Sequence, residues 1–75
     1  MKEKIIEAIA TKITHESLSV EGADSKYDVN IVSDTFEGMS TIQRHKLIYS
    51  LLNNFIKTGE IHALTIKAKT PSESD

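Results

Sequence analysis

The chain has 75 residues, 39% apolar and 27% charged, with a net charge of −2, which suits one domain or part of one with a single thin core between two layers. No apolar run approaches the roughly 18 residues of a bilayer helix, and the absence of Cys excludes disulfides, a thiol nucleophile and any metal site built from the chain's own thiolates. Charge is unevenly spread, with four Lys against eight acids in residues 1–40 and one Arg and four Lys against Glu60 alone in residues 41–70. A basic half of that kind can attract phosphate or an acidic protein surface, although an ordinary solvated surface explains it as well.

The N-terminal MKEKIIEAIATK carries charge through its apolar positions and lacks the apolar core of a signal peptide, so a cytoplasmic, bacterial-style protein is expected. From Lys2 to about Thr14, Ile6, Ile9, Ala10 and Ile13 follow the 3.6-residue period of an amphipathic helix. Ser17 to Glu21 then alternates, with Leu18 and Val20 on one face. Gly22, Ala23, Asp24 and Ser25 predict a loop. Tyr27, Val29 and Ile31 alternate with Asp28 and Asn30, a half-buried strand ending near Ser33.

Ser40 with Gln43 three residues later makes a capping box, so a helix is expected from Thr41 to about Lys57. Ile48, Leu51, Leu52 and Phe55 supply its apolar stripe, and Gly59 is a natural stop. From Ile61 to Lys69 the period returns to two, placing His62, Leu64, Ile66 and Ala68 on the helix-packed face. Pro71 ends that strand, and residues 72–75 read as a disordered polar tail behind a single domain of residues 1–71. The order α-β-β-α-β predicts an α+β two-layer domain. Two helices cover one face of a three-stranded mixed sheet, with an antiparallel hairpin first and a parallel pair across the second helix.

FEGMSTIQRHKLIYSLL followed by IHALTIKAKTP resembles the BolA-like family over about Val20 to Pro71. The joint occurrence of Phe36-x-Gly38, Arg44-His45, Tyr49, Ile61-His62-Ala63-Leu64 and Thr70-Pro71 carries the likeness. It implies a class II KH-like fold with a helix-turn-helix-like portion around the long helix. It also implies two roles: partnership with monothiol glutaredoxins in iron–sulfur cluster handling, and transcriptional regulation.

His62, at the mouth of the last strand, has two uses open to it. It can be a strand-end histidine satisfied by a carbonyl or carboxylate, or a neutral imidazole ligand to iron. The resemblance implies the second, with a [2Fe–2S] cluster shared with a glutaredoxin whose cysteine and glutathione supply the thiolates. It implies a second ligand in the loop between the first two strands, where His-type members carry a histidine. Here that loop is Glu21-Gly22-Ala23-Asp24-Ser25-Lys26, with Lys26 in the histidine's place and Asp24 a weak substitute. Lysine's ammonium has no lone pair to give until it loses a proton.

Arg44 and His45 fall within the apolar arc of Ile48, Leu52 and Phe55, so they must project beyond the core or find partners inside it. Asp34 and Glu37 are candidate clamps for Arg44. Alternatively Arg44, His45 and Lys46 form a basic helix start that contacts phosphate or a partner protein. His15, at the expected end of the first helix, would favour the negative end of its dipole. Met39, Tyr27, Phe36, Tyr49 and Phe55 read as core or core edge. No nucleophile–base spacing, Gly-rich phosphate loop or GxxG clamp is present, so neither an enzyme nor a small-molecule substrate is expected. The reading is an adaptor for a glutaredoxin and an iron–sulfur cluster, with a DNA-binding regulator as the alternative.

Overall fold

In the computed structural model, which describes residues 1–74, the chain runs α1 (Lys2–Ala10), β1 (Ser17–Ala23), β2 (Lys26–Val32), α2 (Thr41–Leu51), α3 (Asn53–Lys57) and β3 (Ala63–Lys69). Short 3-10 turns at Asp34–Phe36 and Pro71–Ser74 complete it. The sheet order is β1-β2-β3, with β1 antiparallel and β3 parallel to β2. This is the two-layer α+β arrangement that the alternating periods predict. Leu18, Val20, Tyr27, Val29, Ile31, Leu64, Ile66 and Ala68 lie on the face that the helices cover. Ile5, Ile9, Phe36, Ile48 and Leu52 fill the space above them with no exposed surface.

Several element boundaries move, each for a local reason. α1 stops at Ala10, not near Thr14. Three β-branched residues among Thr11–Thr14 make a poor helix end, and the chain turns so that the Ser33 hydroxyl can donate to the Thr14 carbonyl. Ile13 is buried all the same. The hairpin is tighter than expected: Gly22 and Ala23 belong to β1, and only Asp24 and Ser25 form the turn. Both take positive φ, 54° and 67°, the left-handed pair that a two-residue hairpin turn requires. Gly22 sits at φ 126°, and a Cβ there would come within 2.1 Å of the Lys26 carbonyl oxygen.

The helix expected over Thr41–Lys57 is broken at Leu52. The Ser40–Gln43 capping box does form, with Ser40 N–H donating to Gln43 Oε1 at 2.8 Å and Gln43 N–H to Ser40 Oγ at 3.2 Å. Asn53 and Asn54, whose amides compete with helical backbone bonds, follow the break. Leu52 turns fully into the core while Phe55 and Ile56 reach only half-burial.

β3 begins at Ala63, two residues later than expected. Ile61 is already buried in the core, and His62 precedes the strand and is exposed. The polar tail also takes a different form. Thr70 N–H donates to Glu73 Oε1 at 2.9 Å and Glu73 N–H to Thr70 Oγ1 at 3.4 Å, a second capping box that closes the Pro71–Ser74 turn. Asp75, the last residue of the expected disordered tail, lies outside the described residues.

Candidate functional site

The candidate site residues fall at two places. His62 lies against the tip of the β1–β2 hairpin, because the Ser25 carbonyl accepts from both His62 N–H at 2.7 Å and Ala63 N–H at 3.1 Å. Two donors on one carbonyl fix the backbone of His62 to the turn of Asp24 and Ser25, just ahead of Lys26. Register adds to this, since Lys26 pairs with Ala63 as the first rung of the β2–β3 ladder. Sequence analysis put these residues in two separate segments, and the parallel pairing brings them together.

The imidazole rests over the turn from α3. Its Nε2 lies 3.3 Å from the position a Cβ on Gly59 would take, and Gly59 holds a positive φ of 83°. Glycine therefore serves twice here: it ends α3 in a left-handed conformation and leaves room for the ring. Among the described residues neither ring nitrogen of His62 has a hydrogen-bond partner within the chain, so the carbonyl or carboxylate that would mark a structural histidine is missing. No group of three or more His, Asp or Glu side chains able to hold a metal ion occurs among the described residues.

Arg44 belongs to the other end of β3. Its Nε donates to the Met39 carbonyl at 3.0 Å and its Nη1 to the Ala68 carbonyl at 2.9 Å. Nη1 and Nη2 reach Glu73 Oε1 and Oε2 at 2.6 and 3.1 Å, and the guanidinium carbon lies 5.9 Å from the Phe36 ring centroid. The clamp expected for Arg44 is real, but its partner is Glu73 and not Asp34 or Glu37. Hydrogen bonding to Glu73 raises the Arg44 pKa, and the same bond, with the Thr70 amide, lowers that of Glu73 to about 2.

This engagement spends Arg44's donors inside the molecule. Beside it, His45 is half-buried and Lys46 is exposed, so the three residues expected to act together have three different environments. His15 also departs from expectation: α1 ends five residues before it, and its Nδ1 meets the Ile13 carbonyl at 3.1 Å.

The sequence alone did not bring Glu73 forward, and it placed Tyr49 only in the core or at its edge. Thr70-Pro71-Ser72-Glu73 is itself a capping-box signature with proline at the first helical position, a signal masked by its place in a polar tail. Tyr49 was expected at the core edge; it is 42% exposed, and its hydroxyl donates to the Leu64 carbonyl at 3.4 Å.

A family model described as BolA-like protein matches residues 3–73. The chain belongs to the BolA-like family. A BolA-like protein of Dictyostelium discoideum is 45% identical over 53 residues, 71% of this chain and 46% of that protein, so the chain spans less than half of that relative's length. The solved structure of BolA1 from Arabidopsis thaliana matches with a TM-score of 0.91 at 36% identity, over 99% of this chain and 95% of that one. The BolA domain of SufE1 from the same plant matches at 0.88 and 37% identity, over 96% and 93%. The order and pairing described above are therefore those of BolA-like structures, and no helix of the described residues is long and apolar enough to cross a membrane.

Proposed function

We propose that this BolA-like chain is a non-enzymatic, cytoplasmic adaptor that binds a monothiol glutaredoxin and takes part in iron–sulfur cluster assembly or trafficking. The observation that carries the reading is the exposed His62 imidazole, without a hydrogen-bond partner among the described residues, on a backbone pinned beside the hairpin tip. One neutral imidazole on a chain without Cys suits a [2Fe–2S] cluster completed by thiolates from the partner's cysteine and glutathione. The occurrence of a BolA domain within SufE1 supports a setting in which this fold works joined to another protein.

His62 is then the chain's main ligand, with Asp24 the only carboxylate in the two-residue turn beside it. A hard carboxylate is a poorer match than imidazole or thiolate for such a centre. The shared cluster is accordingly labile, while contact with glutaredoxin does not depend on it.

The test is to add the pure protein to glutaredoxin carrying its cluster and record visible absorption and circular dichroism. A changed cluster spectrum that disappears with His62→Ala supports the reading. An unchanged spectrum together with salt-sensitive DNA binding favours the alternative, a nucleic-acid-binding regulator. That alternative is weakened by the loss of Arg44 to Glu73, which leaves Lys46 as the exposed cation at the start of α2.

A further inference from the structure

α2 carries two of the three large apolar side chains most exposed on the described surface: Ile42 at 67% and Tyr49 at 42%. Seven residues apart, they share one line along the helix, with Lys46 exposed between them. Nothing in the core explains the pair, since Ile48 and Leu52 already supply the buried face of this helix.

The neighbouring surface is the outer edge of β3. In β3 the backbone groups of Ala63, Thr65, Lys67 and Lys69 turn toward β2, as the Ala63 N–H to Ser25 and Ser33 N–H to Lys69 bonds show at its two ends. Leu64, Ile66 and Ala68 therefore turn outward. Tyr49 caps the outward carbonyl of Leu64 and Arg44 that of Ala68. Side chains from α2 thus take up the outward carbonyls at both ends of this edge, which disfavours strand addition here. Helix and edge instead make one continuous ridge.

Tyr49 anchors the end of that ridge nearest His62, because Leu64 is only two residues beyond it. We infer that Ile42 and Tyr49 form the docking line for the thiol-bearing protein that meets His62, with Tyr49 the central anchor. The inference rests on the adaptor reading above. This end of β3 is one side from which a macromolecule can deliver thiolate to His62, and there Tyr49 supplies exposed apolar surface. Tyrosine, rigid and amphipathic, is a residue type enriched where binding energy concentrates. Charge selects the occupant further: Arg44 is already paired with Glu73, and Lys46 stands exposed between Ile42 and Tyr49, so the partner surface is an apolar pocket with an acidic group placed to meet Lys46.

The experiment is calorimetric titration of a monothiol glutaredoxin without cluster into the wild-type chain and four variants. Tyr49→Ala weakens binding about thirtyfold or more, whereas Tyr49→Phe, which keeps the ring, stays within about threefold. Ile42→Asp also weakens binding, and because its side chain stands in solvent it reports on the surface even if Tyr49→Ala disturbs the fold. His62→Ala keeps its affinity for the cluster-free partner. Wild-type binding with unchanged affinity in both Tyr49→Ala and Ile42→Asp overturns the docking line and leaves the adaptor reading intact. No binding by the wild-type chain overturns both.

Discussion

Lys26, which pairs with Ala63 in the first rung of the β2–β3 ladder, stands one residue of register from His62. Its ammonium offers three donors and no lone pair, so on the proposed adaptor reading His62 is the one good iron ligand at the hairpin tip. Lys26→His is expected to slow loss of a glutaredoxin-bound cluster, followed by decay of its visible absorption, while Asp24→Ala changes little. If Asp24→Ala accelerates decay and Lys26→His leaves it unchanged, the carboxylate is the second ligand. Glu73 gives a residue-scale prediction of a different kind. Its pKa is lowered from an ordinary 4.5 to about 2 by Arg44 and the Thr70 amide. The stability it contributes is present above the unfolded value and is lost as pH falls through the folded one. Thermal unfolding followed between pH 5 and 2 should show the wild type losing stability across that window. Glu73→Gln starts lower at neutral pH and loses less as acid is added.

Capping chemistry decides much at the scale of single elements. Removing the Ser40 hydroxyl leaves the Gln43 amide without its partner, so Ser40→Ala should cost about 1 kcal/mol in denaturant unfolding. Gly22→Ala should cost more, because its Cβ would meet a backbone oxygen at 2.1 Å, and that oxygen belongs to the hairpin itself. How far such features could be read beforehand differs from element to element. The Ser40–Gln43 box, the alternation of Tyr27, Val29 and Ile31 and the stop at Gly59 are local patterns, and local patterns are visible in a sequence. The break at Leu52 was hidden because the apolar spacing runs straight through it. It arises from competition between burying Leu52 and continuing the helix through two asparagines. The hairpin turn was blurred for a similar reason, since Gly22 and Ala23 look like loop residues until pairing with Tyr27 and Lys26 draws them into the sheet. His62 could be nominated from its neighbours in sequence. Its exposure and its attachment to Ser25 could not, because both depend on where a strand far along the chain comes to lie.

For the molecule as a whole, the division of charge meets a division of labour. Arg44 looks like part of a phosphate-binding helix start, yet it joins α2, β3 and the C-terminal turn through the Met39, Ala68 and Glu73 contacts. Arg44→Ala should therefore lower the unfolding midpoint, measured by circular dichroism, whatever its effect on ligands. Lys46→Ala should leave that midpoint unchanged. If DNA binds at all, Lys46→Ala should reduce the log–log salt slope by about one unit, and an unchanged slope excludes this helix from phosphate contact.

The parallel pairing of β2 with β3 has a kinetic consequence. The β1–β2 hairpin closes over two residues and can form early, on the order of microseconds. The β2–β3 ladder joins Lys26 to Ala63 and Val32 to Lys69, so α2 and α3 must be threaded between before its first rung exists. Loop-closure entropy is spent there before any long-range contact returns it. Until that step is complete, β2 exposes an unpaired edge rich in Val and Ile, and His62 has no hairpin tip to lean on. The last part of this chain to become native should then be the junction of His62 with the hairpin tip, and amide protection at His62 and Ala63 should lag behind that of the hairpin in a refolding experiment.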